Sequence, residues 1–109
     1  MSTYPDAATP LRSELADDPE MVELIELFVE ELPNRLEAIG EALAAGDWSE
    51  LSRLAHQLRG AGAGYGFDPI SDSAATLEDT VELGGEPDLA SIRNCVNELS
   101  RLCERARAT

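Results

Sequence analysis

The sequence lacks lysine, and its eight basic residues are all arginine against 22 acidic residues, which leaves a net charge of −14. Nucleic-acid and anionic-membrane binding both depend on clustered cations that release counterions from phosphates. The sequence has no basic stripe with interleaved aromatic residues, so it excludes nucleic acid and membranes as partners. A nucleotide-binding P-loop is excluded as well, because that motif requires a lysine.

The sequence is also poor in metal-binding residues, with one histidine and two cysteines. Cys95 and Cys103 lie in one helical segment, separated by a rise of ~12 Å that is too long for a disulfide within a helix. We interpret both as small core residues of a protein in a reducing compartment. A single histidine without a Cys-x-x-Cys pair predicts that the chain binds no metal.

Long hydrophobic segments are missing too. No apolar run approaches the ~18 residues of a membrane span, and the first residues lack the charge and apolar stretch of a signal peptide. A cytoplasmic location is therefore expected. The aromatic residues are limited to one tryptophan, two tyrosines and two phenylalanines. Ala, Leu and Glu are abundant, which predicts helices around an aliphatic core in a single domain.

Apolar residues recur at three- and four-residue spacing and predict four amphipathic helices. The first helix is expected from Asp18 (N-cap) and Pro19 (N1) to about Ala45, and Gly46 and Asp47 separate it from the second. The third helix is expected to start at Asp68 (N-cap) and Pro69 (N1) and to end at Gly84 and Gly85. The last helix is expected to begin near Pro87 and Asp88. Pro33 falls inside the first helix, where we expect it to cause a kink.

Residues 1–10 are polar, contain two prolines and predict a disordered or loosely docked lead. The domain is expected over 11–109, with a short helix over 11–16. Short loops between amphipathic helices favour antiparallel neighbours. The predicted fold is an all-α, antiparallel up-down-up-down four-helix bundle with a short N-terminal helix. No long apolar seam is left over once the bundle closes, so a monomer is expected.

The single histidine, His56, lies off the apolar stripe of the second helix. At ~100° per residue it is roughly 140° from Leu51 and faces solvent. Arg59 and Gly60 follow at i+3 and i+4 on the same face. Gly60, Gly62 and Gly64 stand in or just after this helix, where each interior glycine costs about 1 kcal/mol relative to alanine. Either the helix ends near Gly60 and a flexible loop follows, or the glycines are needed because the backbone must be approachable or tightly packed.

This segment resembles the histidine-containing phosphotransfer (HPt) domain. The signature of that family is an exposed histidine followed by x-Leu-Lys/Arg-Gly and a second glycine ten residues on. The corresponding residues are His56, Leu58, Arg59, Gly60 and Gly66, with an arginine where lysine is commoner. The arginine keeps the positive charge but presents a planar fork of donors.

The resemblance extends over roughly residues 11–108. The segment 24–33 is similar to the first long helix of the family, and 45–48 is similar to its turn into the histidine helix. The resemblance implies a phosphorelay carrier that accepts a phosphoryl group on Nε2 of His56 from a receiver-domain aspartate and passes it on. Its partners would be response-regulator receiver domains, or a hybrid histidine kinase. Mg²⁺ would come with the receiver, and the carrier itself would bind no cofactor and have no kinase activity.

Each candidate site residue has an expected role under that resemblance. His56 is the phosphoacceptor, and Arg59 is placed to bind phosphoryl oxygens. Gly60, Ala63 and Gly64 would let a receiver domain lie flat against the helix. Gly66, the second glycine of the signature, is expected to be structural.

Two other functions remain open. A dimerising phosphoacceptor domain of a histidine kinase would have His-Glu-x-Arg-Thr-Pro, whereas Gln57 and Gly60 stand at the corresponding positions of this chain. A non-catalytic helical adaptor that binds a signalling partner would contain its histidine by chance. The carboxylates Glu78, Asp79 and Glu82 resemble a catalytic pair, but we interpret them as a solvated acidic face. The sequence identifies neither the donor nor the acceptor, nor the direction of phosphate flow.

Overall fold

A computed structural model describes residues 9–82 and 88–108 of the chain. It contains the four predicted helices, α1 (Val22–Ala45), α2 (Trp48–Gly64), α3 (Asp68–Glu82) and α4 (Leu89–Arg105). Two short strands, β1 (Leu11–Arg12) and β2 (Ala106–Arg107), flank them. The all-helical class is therefore confirmed. The expected lead over 1–10 falls mostly outside the described residues, as do the expected signals at 84–85 and Pro87.

The start of α1 differs from the prediction. The Asp18 carboxylate accepts a hydrogen bond from the backbone N–H of Glu20 at 3.0 Å, and its carbonyl accepts from Met21 at 2.9 Å. These bonds close a turn, as aspartate side chains often do, so the helix begins only at Val22 and its N-cap is Met21 rather than Asp18. The helix then continues through Pro33 to Ala45.

Both ends of α2 follow recognisable capping rules. Gly46 ends α1 with a positive φ of 65°, and the Asp47 side chain caps α2 by accepting from the Glu50 N–H at 3.1 Å. The helix continues to Gly64, so the alternative that it ends near Gly60 is wrong. Gly66, at φ 81°, then lets the Phe67 N–H reach the Gly62 carbonyl at 2.8 Å, a Schellman-type end.

The last two helices begin near their predicted signals. Asp68, the expected N-cap of α3, lies in its first turn, and the carbonyl of Phe67 accepts from Ile70 and Ser71. The helix α3 therefore begins one residue earlier than predicted. The last helix begins near Asp88 as expected, and the structure shows that Asp88 caps α4 by accepting from the Ala90 N–H at 3.1 Å.

The predicted short helix over 11–16 is not confirmed. Leu11 pairs with Ala106 in a parallel two-stranded ladder, and turns follow β1. The reason is a pair of tertiary hydrogen bonds. Ser13 Oγ donates to the Tyr65 carbonyl at 2.5 Å, and the Glu14 N–H donates to the Gly66 carbonyl at 2.8 Å. These bonds hold the segment that follows β1 against the end of α2.

The core lies between the four helices. α2 packs against α1 and α3, and α4 packs against α1 and α3, as in a four-helix bundle. The largest fully buried side chains are Ile25, Leu32, Ile39, Leu51, Leu58, Phe67, Ile70, Leu77, Ile92 and Leu99. The up-down order of helix directions and the monomeric state stay predictions. Over 9–82 and 88–108, no helix is long and apolar enough to cross a membrane.

Candidate functional site

His56 stands on the outer face of α2, with 69% of its side chain exposed. The opposite face of the same turns contributes Leu51, Ala55 and Leu58 to the core. The imidazole Nδ1 lies 2.8 Å from Glu78 Oε2 on α3. Within the described part of the chain Nε2 has no hydrogen-bond partner, so this nitrogen is open to a reactant.

Glu78 is the central residue of the site and is 8% exposed. One of its oxygens contacts His56, and the other accepts from Arg59 Nη1 at 3.2 Å. The interpretation of Glu78, Asp79 and Glu82 as one solvated face is therefore wrong for Glu78, although the other two are exposed. Glu78 follows Leu77 at the edge of the apolar stripe of α3, and that edge faces α2.

The Glu78 contact determines which ring nitrogen can react. An ionised carboxylate only accepts hydrogen bonds, so it selects the tautomer in which Nδ1 carries the proton. The lone pair then remains on Nε2, the nitrogen that is open to solvent. Such an arrangement can orient a nucleophile, because the Glu78 carboxylate holds Nδ1 and the Nε2 lone pair stays free.

Arg59 lies one turn beyond His56 and is joined to α3 at two points. Its guanidinium binds Glu78, and its backbone carbonyl accepts from Ser71 Oγ at 2.8 Å. The side chain is still 51% exposed, which leaves donors of the guanidinium available to an anion near Nε2. The predicted pair His56 and Arg59 is thus brought together through a third residue that the sequence interpretation had assigned to solvent.

The small residues of α2 have different surroundings. Gly60, Ala63 and Gly64 are exposed, and a Cβ at either glycine would have no atom within 4 Å. Gly62 is buried against α3, where a Cβ would lie 3.0 Å from the Ser71 backbone nitrogen. Tight packing was one of the alternatives for the glycines of α2, and Gly62 is the one that allows the two helices to approach closely. The sequence alone does not show which residues of α3 face Gly62, so it contains no signal that singles out this glycine.

Gly66 is required by backbone geometry. It adopts a φ of 81°, and a Cβ there would collide with Ser13 and approach Leu15 to 3.0 Å. The residue therefore terminates α2 and accommodates the N-terminal segment at the same point.

A cleft between α2 and α3 adjoins His56 on the side towards the start of α2. We call it the His56 recess, and its volume is about 510 Å³. Its lining includes Trp48, Ser52, Arg53, His56, Val81 and Glu82. Ser52 Oγ donates to Glu82 Oε1 at 2.6 Å across the recess. Among the described residues, no three His, Cys, Asp or Glu side chains form a group that could hold a metal ion.

Comparison with protein families gives a match to the family described as Hpt domain, over residues 23–109. The matched region contains α1 from its second residue onwards and the whole of α2, α3 and α4, with His56, Glu78 and the glycines of α2. Comparison with curated proteins gives no match, and comparison with solved structures gives none either.

Proposed function

Because the chain belongs to the Hpt domain family, we propose that it is a phosphorelay carrier with His56 as its phosphoacceptor. Membership implies histidine phosphotransfer in two-component signalling, and domains of this family interact with receiver domains and histidine kinases. They are phosphocarrier modules rather than kinases in general. The proposal adds that this chain works in the cytoplasm and has no kinase activity of its own.

The observation that supports His56 is the Nδ1–Glu78 contact combined with an open Nε2. In the proposed step, the Nε2 lone pair attacks the phosphorus of an aspartyl phosphate. The N–P bond forms as the acyl O–P bond breaks, and the electron pair leaves with the aspartate carboxylate. The proton stays on Nδ1, so the ring becomes positive and is stabilised by the Glu78 carboxylate.

The other site residues have supporting roles in this proposal. Arg59 donates hydrogen bonds to phosphoryl oxygens, whose charge must be compensated during transfer. The receiver domain supplies the aspartyl phosphate and the Mg²⁺. Gly60, Ala63 and Gly64 form the surface on which the receiver lies, because the open space above them leaves the backbone accessible.

The test is phosphoryl transfer from a panel of receiver domains that are preloaded with phosphate. The wild-type protein is compared with His56→Gln, whose amide can still donate to Glu78 and which therefore disturbs the helix contact least. We expect acid-labile, base-stable label on the wild-type protein alone. Label on the variant would contradict the role of His56, and no label from any receiver would favour the helical adaptor.

A further inference from the structure

The His56 recess has an uncompensated negative charge. Three carboxylates lie in or beside it, and two of them have arginine partners. Glu50 binds Arg53 through two contacts of 2.5 and 2.8 Å, and Glu78 binds Arg59 at 3.2 Å. Among the residues that the structure describes, the one hydrogen-bond partner of Glu82 is the neutral Ser52 hydroxyl. Within the described residues, no cation lies within salt-bridge distance of the Glu82 carboxylate.

The lining of the recess is mixed: Trp48 and Val81 contribute apolar surface, and the other residues are polar or charged. Trp48 and Val81 are both half-buried and line the same cleft. An apolar wall that leads to a carboxylate is complementary to a side chain with an aliphatic stem and a cationic end. An indole adds a cation–π surface for such a group.

The recess and the glycine surface lie on opposite sides of the phosphoacceptor. Gly60, Ala63 and Gly64 extend from His56 towards the end of α2, whereas Trp48 and Ser52 lie towards its start. A partner that contacts both would be fixed along the helix axis, with its reactive group held over Nε2.

We propose that the His56 recess binds a lysine or arginine side chain from the surface of the partner receiver domain, with Glu82 as its counter-ion. This inference rests on the proposed phosphorelay function and specifies the chemistry of the partner. The stem of the basic side chain lies between Trp48 and Val81, and its charged end contacts Glu82. The contact contributes to the choice of receiver and takes no part in the bond-making step.

The first test measures binding of the receiver domain that labels the wild-type protein in the transfer experiment. Glu82→Gln removes the charge but retains an oxygen that can accept from Ser52. Glu37→Gln removes one charge from an exposed position of α1 and is the matched control for the net charge of −14. We expect Glu82→Gln to raise the Kd about fivefold and to weaken its salt dependence. The control should change the Kd by less than about twofold.

The second test identifies the basic residue. Each exposed lysine and arginine of that receiver is replaced by alanine and measured against both wild type and Glu82→Gln. We expect one replacement to cost about fivefold with wild type and almost nothing with Glu82→Gln. Equal binding of Glu82→Gln and wild type, or the absence of any coupled residue, would overturn the inference while leaving the phosphorelay function intact. If no receiver labels the wild-type protein, the proposed function fails, and this inference fails with it.

Discussion

Glu78 of α3 contacts His56 of α2 at 2.8 Å, although the two residues are 22 positions apart in the sequence. The contact joins a nearly buried carboxylate to a largely exposed imidazole. It therefore combines an anchored partner with a reactive group that remains accessible. The consequences concern both the tautomer of the ring and the rate of phosphoryl transfer.

Replacing Glu78 with leucine should change the tautomer of His56 and slow phosphorylation. The hydrogen bond from Nδ1 is lost, so the neutral ring is free to carry its proton on Nε2, where it blocks the nucleophilic lone pair. We expect about a tenfold or larger decrease in the transfer rate, as for other hydrogen bonds to a charged group. The tautomer populations are measured by ¹⁵N NMR of the ring nitrogens.

Asp79→Asn is the matched control for this experiment, because Asp79 is the exposed carboxylate next in sequence. It should leave both the tautomer and the rate unchanged. If Glu78→Leu slowed transfer without any change in the ring ¹⁵N shifts, Glu78 would act on the fold or on docking and not on the nucleophile.

Gly60→Leu should impair transfer without destabilising the fold. A Cβ at Gly60 has no atom within 4 Å, so the side chain extends into solvent where the receiver is proposed to lie. We expect transfer to fall about tenfold, which corresponds to ~1.4 kcal/mol of docking free energy. Gly40→Leu is the control, since Gly40 of α1 is also exposed with open space above it. Equal transfer by the two variants would contradict the docking surface.

Gly66→Ala should destabilise the protein, whereas Gly64→Ala should not. Gly66 has a φ of 81° and packs against Ser13, so alanine introduces both backbone strain and a collision. We expect a loss of about 2 kcal/mol in the free energy of unfolding. Gly64 is helical with open surroundings, and alanine there should add about 0.5 kcal/mol or more. Urea unfolding measures both, and a stable Gly66→Ala variant would refute the structural role of this glycine.

Cys103 should make the protein less stable in alkaline solution. Burial, and secondarily the neighbouring Glu104, raises the pKa of this thiol from 9.0 to about 12. Between these values the unfolded chain has lost the thiol proton and the folded chain retains it. The free energy of unfolding therefore falls as the pH rises above 9, by at most about 1.4 kcal/mol per pH unit from this group.

The contribution of Cys103 is isolated by comparing wild type with Cys103→Ala. Alanine shifts the stability at all pH values by a constant amount, but it removes the thiol titration. The difference in unfolding free energy between the two proteins should remain constant below pH 9 and change steadily above it. Parallel stability curves up to pH 11 would show that the thiol titrates similarly in both states.

The helices could be predicted from the sequence because their signals are local. Gly46 ends α1, Asp47 caps α2 and α4 begins next to Asp88, as the spacing of apolar residues and turn residues indicated. The signal at Asp18 was misleading, since the same carboxylate can cap a helix or close a turn. Propensity does not distinguish these outcomes.

Features that join distant segments could not be predicted in this way. The β1–β2 ladder has two residues in each strand, too few for an alternating pattern, and pairs Leu11 with Ala106. Glutamate is a residue type that is expected at the surface, and only the orientation of α3 against α2 brings Glu78 to His56. The resemblance predicted roles for His56 and Arg59, and the structure adds the carboxylate of Glu78, which contacts both.

Trp48 is the only tryptophan of the chain, and it forms a half-buried wall of the His56 recess. Indole emission depends on the polarity and charge of its surroundings. A partner that enters the recess removes water from this ring and brings charged groups close to it. The protein therefore contains an intrinsic fluorophore next to the proposed phosphoacceptor His56, and docking can be followed optically, without labelling, on the unmodified chain.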